Sequence, residues 1–413
     1  MGKIIIKNIK ELVQVLPPEV KVLKGKEMAE LATIKDAWVK IVDDIIVGYG
    51  KMSDCPIEDE SEVMDATGKM VFPSWCDSHT HIVYAKSREE EFVDRINGLS
   101  YQEIASKGGG ILNSAKKLQN ASEQELYEGA CQRIKEIQLT GTGAVEIKSG
   151  YGLTVEAELK MLRVIKRLKE NSEVTIRANF LGAHALPVEF KENRRGYIDL
   201  IINEMLPKIK AEGLADFIDV FCETNYYTPE EASEILLAGK EIGLIPKFHT
   251  NQFTSIGGIQ VGVKHKALSV DHLEVMTNQD MEDLAHSEVM PTLLPSCSFF
   301  LNIPYAPAKE LINKGLPICL ATDFNPGSTP SGNMNFVLSL ACINMKLTPE
   351  QAINAATINA AYAMGLEKTH GSITVGKKAN LFITKEISSY AFIPYYFGHP
   401  PIETVILNGA IKK

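Results

Sequence analysis

The stretch Met70-Val-Phe-Pro-Ser-Trp-Cys76-Asp77-Ser-His79-Thr-His81 joins an apolar run to two histidines at positions i and i+2. The run predicts a buried strand over Met70–Trp75. Side chains alternate along an extended segment, so the imidazoles of His79 and His81 point to the same side of the chain. Neutral imidazole is a common protein ligand of zinc and iron. The pair therefore indicates part of a metal site, although a His-x-His pair alone is also compatible with two polar loop residues.

Further apolar runs follow this strand, and amphipathic segments separate many of them. The predicted strands are Gly143–Lys148, Val174–Phe180, Phe217–Cys222, Ile245–His249, Ala267–Asp271, Val289–Leu294 and Pro317–Thr322. Several are continuously apolar, which is typical of parallel strands covered by helices on both faces. Helices are predicted at Glu123–Leu139, Glu156–Lys169, Pro229–Ile242 and Pro307–Lys314, with Thr228 and Thr348 as N-caps.

Strand–helix repeats of this kind predict an α/β fold, in the form of a closed (β/α)8 barrel of the TIM type. A doubly wound open sheet is the alternative. Its nucleotide-binding version is disfavoured, because no Gly-x-Gly-x-x-Gly follows the first strand.

The two ends of the chain differ from the middle. Both are rich in β-type runs, such as Lys3-Ile-Ile-Ile-Lys7 and Glu403-Thr-Val-Ile-Leu407, with little helical periodicity. A chain of 413 residues also exceeds the usual limit for one core, about 250–300 residues. We therefore expect a small β-sandwich domain built from residues 1–69 and 367–413, with the barrel at 70–366.

Composition limits the partners and the compartment. A net charge of −9 argues against nucleic acid and anionic membranes as partners. No apolar run approaches the length of about 20 residues that spans a bilayer, and the first residues lack the pattern of a signal peptide. The seven cysteines are scattered and form no Cys-x-x-Cys pair, which indicates free thiols in a reducing compartment. We expect a cytoplasmic enzyme, and a homodimer as the commonest oligomer.

Polar residues follow the predicted strands at the points where these strands end. They are His79, His81, His184, His249, His272 and Asp323. The carboxyl ends of the strands carry the active site in a (β/α)8 barrel. Each residue alone could be a satisfied polar group, but six of them at one face of a barrel are difficult to explain by packing. The set predicts an active site.

Three histidines and one carboxylate suit Zn²⁺ or a non-haem iron ion. We expect one such ion per chain, held by His79, His81, His249 and Asp323. Water on such an ion loses a proton near neutral pH and can attack a polarised carbon. Asp323 could accept the proton of that water, and His272 is placed to polarise a substrate oxygen or to move protons.

The motifs around these residues resemble the amidohydrolase superfamily and, within it, the imidazolonepropionase family. The resemblance covers nearly the whole chain. It rests on Cys76-Asp-Ser-His-Thr-His81, Glu146-Ile-Lys-Ser-Gly-Tyr-Gly-Leu153, Phe180-Leu-Gly-Ala-His184, Ser269-Val-Asp-His272-Leu and Ala321-Thr-Asp-Phe-Asn-Pro-Gly-Ser328. The second and fifth runs are specific to that family, whereas the His-x-His pair is shared across the superfamily.

The resemblance implies a metal-dependent hydrolysis in histidine degradation. The ring C–N bond of 4-imidazolone-5-propanoate would be cleaved to give N-formimidoyl-L-glutamate, the third step on the way to glutamate. The resemblance also implies substrate contacts at Arg88, Tyr101, Tyr151, His184, Asn325, Gly327 and Ser328. It further implies a mononuclear site, so Lys148 is expected not to be a carbamylated ligand.

Two of these residues also fit the chemistry of an anionic small-molecule substrate. Arg88 offers a bidentate fork for a carboxylate, although an ion pair within Glu89–Glu91 is an alternative use for it. Tyr151 lies on a Ser149–Gly152 turn that favours a direction into the mouth of the barrel. Tyr101 could equally be a helix residue that packs.

One residue departs from the family pattern. The family commonly has Glu three residues after the histidine of strand five, where this chain has Gln252. An amide can hydrogen-bond but cannot transfer a proton. We therefore expect Gln252 to orient substrate in the catalytic centre, and His272 and Asp323 to carry the acid–base work.

The alternatives are a related amidohydrolase, such as a nucleobase deaminase, and a catalytically silent barrel that serves as an interaction module. Deaminases on this fold use the missing Glu. Silent relatives typically lose metal ligands, whereas His79, His81, His249 and Asp323 are all present here.

Overall fold

A computed structural model of the chain describes residues 2–57, 61–100, 103–104 and 107–412. The strands in this part of the chain are β1 (Lys3–Val13), β2 (Thr33–Val42), β3 (Ile45–Lys51), β4 (Glu62–Asp65), β5 (Lys69–Pro73), β6 (Trp75–Thr80), β7 (Thr142–Lys148), β8 (Thr175–Ala183), β9 (Phe217–Cys222), β10 (Ile245–Pro246), β11 (Phe248–Thr250), β12 (Ser269–His272), β13 (Met290–Leu293), β14 (Cys319–Leu320), β15 (Leu381–Glu386), β16 (Ile402–Leu407) and β17 (Ala410–Lys412). They form two separate sheets.

Strands β6 to β14 form the predicted parallel barrel. Neighbours pair in chain order, β6–β7–β8–β9–β11–β12–β13–β14, and β10 pairs with β9. Every residue of β7 and of β9 is buried, as expected for strands covered on both faces. The fifth strand is divided into β10 and β11, with Lys247 between them.

The barrel closes between its first strand and the segment that follows its last. The amide of His81 donates to the carbonyl of Phe324 at 2.9 Å, and the amide of Asp323 donates to the carbonyl of His79 at 3.0 Å. The residues joined by this closure include three of the predicted metal ligands. Closing the barrel therefore also assembles the predicted site.

The helices that surround the barrel are α1 (Glu89–Ile96), α2 (Gly110–Asn120), α3 (Glu123–Leu139), α4 (Val155–Asn171), α5 (Arg194–Leu200), α6 (Leu206–Glu212), α7 (Pro229–Glu241), α8 (Gly258–His265), α9 (Asn278–Ala285), α10 (Pro295–Leu301), α11 (Ala308–Asn313), α12 (Met334–Ile343), α13 (Pro349–Ala356) and α14 (Ile358–Ala363), and α15 (Phe392–Tyr395) lies near the chain end. Thr228 and Thr348 cap α7 and α13 as predicted, each within a reciprocal capping box.

Both ends of the chain pair in the second sheet, in the order β17–β16–β15–β5–β1–β2–β3, with β4 beside β1. Its buried face has its own apolar cluster, which includes Ile6, Val39 and Leu381. The division into domains at 1–69 plus 367–413 and 70–366 remains a prediction.

The strand predicted over Met70–Trp75 differs in the structure, where it is two strands in different sheets. Residues Lys69–Pro73 pair with β1 and β15 of the end sheet, and the first barrel strand runs from Trp75 to Thr80. The rings of Phe72, Trp75 and Phe382 pack together at this junction, with centroids 4.9–6.2 Å apart. An apolar run does not reveal where the chain passes from one sheet to the next.

All seven cysteines are free, and four of them are buried. Among the helices that the structure describes, none combines the length and the apolar character needed to cross a bilayer.

Candidate active site

A cavity opens at the carboxyl ends of the barrel strands. It contains about 450 Å³ of empty space, part of it open to solvent. Its walls are His81, Arg88, Ile111, Tyr151, His184, Phe221, His249, Gln252, His272, Asp323, Asn325 and Ser328. Most of the site residues predicted from the sequence therefore share one cavity. Tyr101 lies outside the described residues.

The predicted metal ligands converge beside this cavity. One nitrogen atom from each of His79, His81 and His249 lies within 4.8 Å of the other two. The Oδ1 atom of Asp323 lies 3.5 Å from Nε2 of His79 and 3.6 Å from Nε2 of His81. All four side chains are buried. We call these four residues, together with His272, the ligand layer.

Two carboxylates orient the histidines of the ligand layer. Asp271 pairs with Nδ1 of His79 at 2.6 Å, and Asp219 pairs with Nδ1 of His249 at 2.9 Å. Each Nδ1 therefore carries the shared proton, which leaves the lone pair on Nε2. Neither Nε2 atom has a hydrogen-bond partner among the described residues.

The Nε2 atoms of His79 and His249 are suited to binding a divalent metal ion. Burial and the nearby charge of Lys148 hold the pKa of His79 well below its usual range, and burial and His184 do the same for the pKa of His81. Neutral imidazoles are metal ligands, and a buried nitrogen atom without a partner is costly unless something binds it.

A second layer of charges lies directly beneath. We call it the ion-pair layer, and its members are Glu146, Lys148, Asp219, Lys247 and Asp271, none of which is more than 1% exposed. The Nζ atom of Lys148 lies 2.5 Å from Glu146, 2.8 Å from Asp219 and 3.5 Å from Asp271. Lys247 pairs with Glu146 and also donates to the carbonyl of Ser78. Lys148 thus bridges the two carboxylates that orient His79 and His249.

The environment of Lys148 keeps it positively charged. Burial alone would lower its pKa, but Asp219, Glu146 and Asp271 outweigh burial and raise that pKa. That Lys148 is not a carbamylated metal ligand stays a prediction.

His272 ends strand β12 in a left-handed backbone conformation, with φ of 89°. Such values are uncommon outside glycine and often occur at functional sites. Its Nδ1 atom lies 3.6 Å from Oε2 of Glu274. Burial lowers the pKa of His272, but Glu274, Asp323 and Asp271 together outweigh burial and raise it.

Asp323 has a left-handed backbone as well, with φ of 58°. Burial raises the pKa of its carboxyl group. The loop behind it is held by Asn325, whose Oδ1 accepts the amides of Gly327 and Ser328 at 2.8 Å each. The Oγ atom of Ser328 donates to Oδ2 of Asp323 at 3.1 Å, which leaves Oδ1 facing the histidines.

Arg88 reaches the cavity. It also forms an ion pair with Glu91, which was the alternative use of this arginine in the sequence analysis. Its Nε and Nη2 atoms donate to Oε2 of Glu91 at 2.9 and 2.5 Å. Glu91 in turn accepts from the amide of Gly110 and from Asn113. A Cβ atom at Gly327 would lie 2.1 Å from Nη1 of Arg88, so this position must be glycine for the guanidinium to lie there.

The Ser149–Gly152 turn places Tyr151 in the cavity wall. Glu158 fixes the turn by accepting the amides of Gly150 and Gly152 at 3.1 and 2.6 Å. Nδ1 of His184 contacts the carbonyl of Gly150 at 3.1 Å, and its ring stacks on that of His81 at 5.2 Å. Burial lowers the pKa of His184 to about 3, so the ring is neutral.

Gln252 also lines the cavity and is mostly buried. Its Nε2 donates to Sγ of Cys297 at 3.4 Å. Sequence reasoning missed several residues that orient the site rather than line it, namely Asp219, Asp271, Glu274 and Glu158. The sequence did contain one signal for the first two, because each is a charged residue within an apolar strand, which requires a buried partner.

Comparison with known proteins shows the family of this chain. Residues 97–392 match the family described as "Amidohydrolase family". The imidazolonepropionase of Flavobacterium johnsoniae is 62% identical over 407 residues, which cover 98% of this chain and 99% of the relative. That of Christiangramia forsetii is 60% identical over 408 residues, or 99% of each chain.

A solved structure shares the fold at much lower identity. An adenosine deaminase from Xanthomonas campestris with bound zinc superposes with a TM-score of 0.72 at 15% identity, and the match covers 100% of this chain and 93% of that one. At this identity the likeness shows the fold alone. The expected (β/α)8 amidohydrolase architecture is confirmed.

Proposed function

The chain belongs to the imidazolonepropionase family of the amidohydrolase superfamily, and we propose that it hydrolyses 4-imidazolone-5-propanoate to N-formimidoyl-L-glutamate in histidine degradation. The observation that carries this proposal is identity of 60–62% to two imidazolonepropionases over 98–99% of the chain. The nucleobase-deaminase alternative is not favoured, because the likeness to a deaminase is limited to the fold. The silent-barrel alternative conflicts with the complete donor set of the ligand layer.

We propose that His79, His81, His249 and Asp323 hold one ion of zinc or iron per chain. Such an ion would polarise the ring carbonyl and lower the pKa of a water molecule toward about 7. The lone pairs on Nε2 of His79 and His249 are already directed away from their carboxylate partners, so little reorganisation is needed when the ion binds.

The chain supplies the remaining steps. Asp323 accepts a proton from the attacking water at a carboxylate oxygen. His272, whose Nδ1 faces Glu274, donates a proton through Nε2 to the ring nitrogen that leaves when the C–N bond breaks, and the proton taken up by Asp323 replaces it, so that the water supplies OH to the carbon and H to the nitrogen. Gln252 hydrogen-bonds the ring and orients it. In this assignment the catalytic residues are His272, Asp323 and Gln252.

The cavity wall recognises the anionic substrate. Arg88 lines the cavity and binds the propionate carboxylate through guanidinium N–H groups. Tyr151, His184 and Ser328 contact the ring and the tail, and Asn325 and Gly327 shape the loop around them. The chain is further proposed to act as a homodimer in the cytoplasm.

The test is a direct assay on freshly prepared 4-imidazolone-5-propanoate, with product identified by mass spectrometry and metal content measured on the same sample. We expect N-formimidoylglutamate, and activity that follows the metal content and is lost with a chelator. A metal-loaded enzyme that releases ammonia from a nucleobase and leaves the imidazolone intact would overturn the proposal.

A further inference from the structure

A second group of metal-ligand atoms lies behind the cavity, next to the ligand layer. His272, Glu274 and Cys297 each offer one ligand atom, and these three atoms lie within 4.8 Å of one another. The three residues are 4%, 6% and 0% exposed. Two different strand ends bring them together, because His272 ends β12 and Glu274 follows it, whereas Cys297 lies on α10 after β13.

Two of these atoms have no hydrogen-bond partner. They are Nδ1 of His272 and Oε2 of Glu274, and neither meets a partner within hydrogen-bond distance in the described part of the chain. They lie 3.6 Å apart. Buried polar atoms normally find partners, so two that point at the same small space beside a thiol indicate a place for a ligand.

We propose that His272, Glu274 and Cys297 form a second, inhibitory site for a thiophilic divalent cation such as Zn²⁺. Imidazole nitrogen, carboxylate oxygen and thiolate sulfur are the three donor types that zinc prefers. Zinc bonds of about 2.0–2.3 Å give tetrahedral edges of about 3.3–3.8 Å. The 3.6 Å between the nitrogen and oxygen donors matches such an edge.

This second site should bind more weakly than the ligand layer. Cys297 is a thiol whose proton must be displaced before its sulfur can bind, whereas Nε2 of His79 and of His249 already lacks a hydrogen-bond partner among the described residues. The stoichiometry of one tightly held ion per chain is therefore retained, and the second site fills when metal is in excess.

Filling the second site would stop catalysis. A cation on Nδ1 of His272 prevents that ring from holding protons on both nitrogen atoms, and it fixes a positive charge beside the group that exchanges protons with substrate. This consequence rests on the proposed role of His272, but binding at the site does not.

Cobalt titration separates the two sites, because sulfur is a donor in only one of them. Metal-free protein is titrated with Co²⁺ while the visible and near-ultraviolet spectra are recorded. The first equivalent should give the visible bands of a nitrogen and oxygen site. Further equivalents should give thiolate-to-cobalt charge-transfer absorption, and inhibition of the Co²⁺-loaded enzyme should follow that absorption.

Two cysteine variants identify which thiolate gives the charge-transfer band. Cys297→Ser should need more than about tenfold higher Co²⁺ to reach the same occupancy and should lose the charge-transfer band, since even outer residues change metal affinity about 10–100-fold. Cys131→Ser is the matched control, because Cys131 lies on α3 and is not among the residues that line the cavity, and it should keep the band.

A missing charge-transfer band in the wild type, or an unchanged band in Cys297→Ser, would overturn the second site. Failure to hydrolyse the imidazolone would instead overturn the proposed function while leaving the spectra valid. A band that appears without inhibition would retain the site and reject its inhibitory effect.

Discussion

The ligand layer and the ion-pair layer are neighbouring sets of buried polar residues, yet their hydrogen bonding differs. In the ligand layer, Nε2 of His79 and of His249 has no partner in the described structure. In the layer beneath, Lys148 contacts three carboxylates, and Lys247 contacts Glu146 and two carbonyls. In these two layers, the unpartnered nitrogen atoms are the ones open to a ligand, whereas the ion pairs beneath hold the carboxylates that orient the histidines.

The largest effect is expected from removing two members of the ligand layer. A His79→Ala, His249→Ala double variant should lose its metal and all measurable hydrolysis, because one histidine and one carboxylate cannot hold the ion tightly. Metal analysis and the activity assay check this. His286→Ala, an exposed histidine, is the control and should retain both. A full equivalent of metal in the double variant would show that the ion binds elsewhere.

His272 tests whether the ligand layer also moves protons. His272→Ala should lower kcat by about 10²–10⁴-fold while one equivalent of tight metal is retained, because it removes a general acid–base group rather than a primary ligand. Steady-state kinetics and metal analysis on one sample measure this. A near-normal kcat would assign proton transfer to another residue.

Lys148 tests the ion-pair layer. Lys148→Met should lower the free energy of unfolding by about 3–5 kcal/mol, because it leaves buried carboxylates without their counter-charge. It should also weaken metal binding about 10–100-fold, because Asp219 and Asp271 lose the group that positions them. Denaturant unfolding and chelator competition measure the two effects.

The matched control for Lys148 is Lys208→Met. Lys208 forms an exposed pair with Glu204 at 3.7 Å, and its loss should cost less than about 1 kcal/mol. Equal effects of the two variants would mean that the ion-pair layer has no special function.

The next prediction concerns Arg88, which lines the cavity beside the ligand layer. Arg88→Ala should raise KM about 10–100-fold with little change in kcat, since a charge-assisted hydrogen bond to a carboxylate contributes about 1.5–3 kcal/mol in ground and transition states alike. Kinetics beside Arg195→Ala, an exposed arginine paired with Asp199 and Glu234, measure this. An unchanged KM would limit Arg88 to its ion pair with Glu91.

The smallest effect is expected at Gln252. Gln252→Glu should leave kcat within about tenfold, or about 1.4 kcal/mol in the barrier, because a carboxylate of similar reach keeps the hydrogen bond to substrate. The assay used for His272→Ala measures it under the same conditions. A large gain in rate would show that this chain lacks an acid that the reaction uses.

The local structure and most of the residues that line the cavity could be predicted from the sequence. The helix over Glu123–Leu139, the strand over Phe217–Cys222 and the caps at Thr228 and Thr348 were all predicted as the structure has them. The histidines at the strand ends followed from the same reasoning. Periodicity and capping depend on residues within about four positions, so a single sequence contains that information.

Tertiary structure alone decided how the buried charges pair and where the strands are divided. Lys148 meets Asp219 across 71 positions, and Lys247 meets Glu146 across 101. The left-handed backbone of His272 and Asp323 and the transfer of Met70–Pro73 to the end sheet likewise depend on elements distant in sequence. Burial removes a charged side chain from water, and the cost of this desolvation requires a partner of opposite charge. Only the closed barrel determines which partner that is, because the geometry of the fold decides which side chains lie within reach.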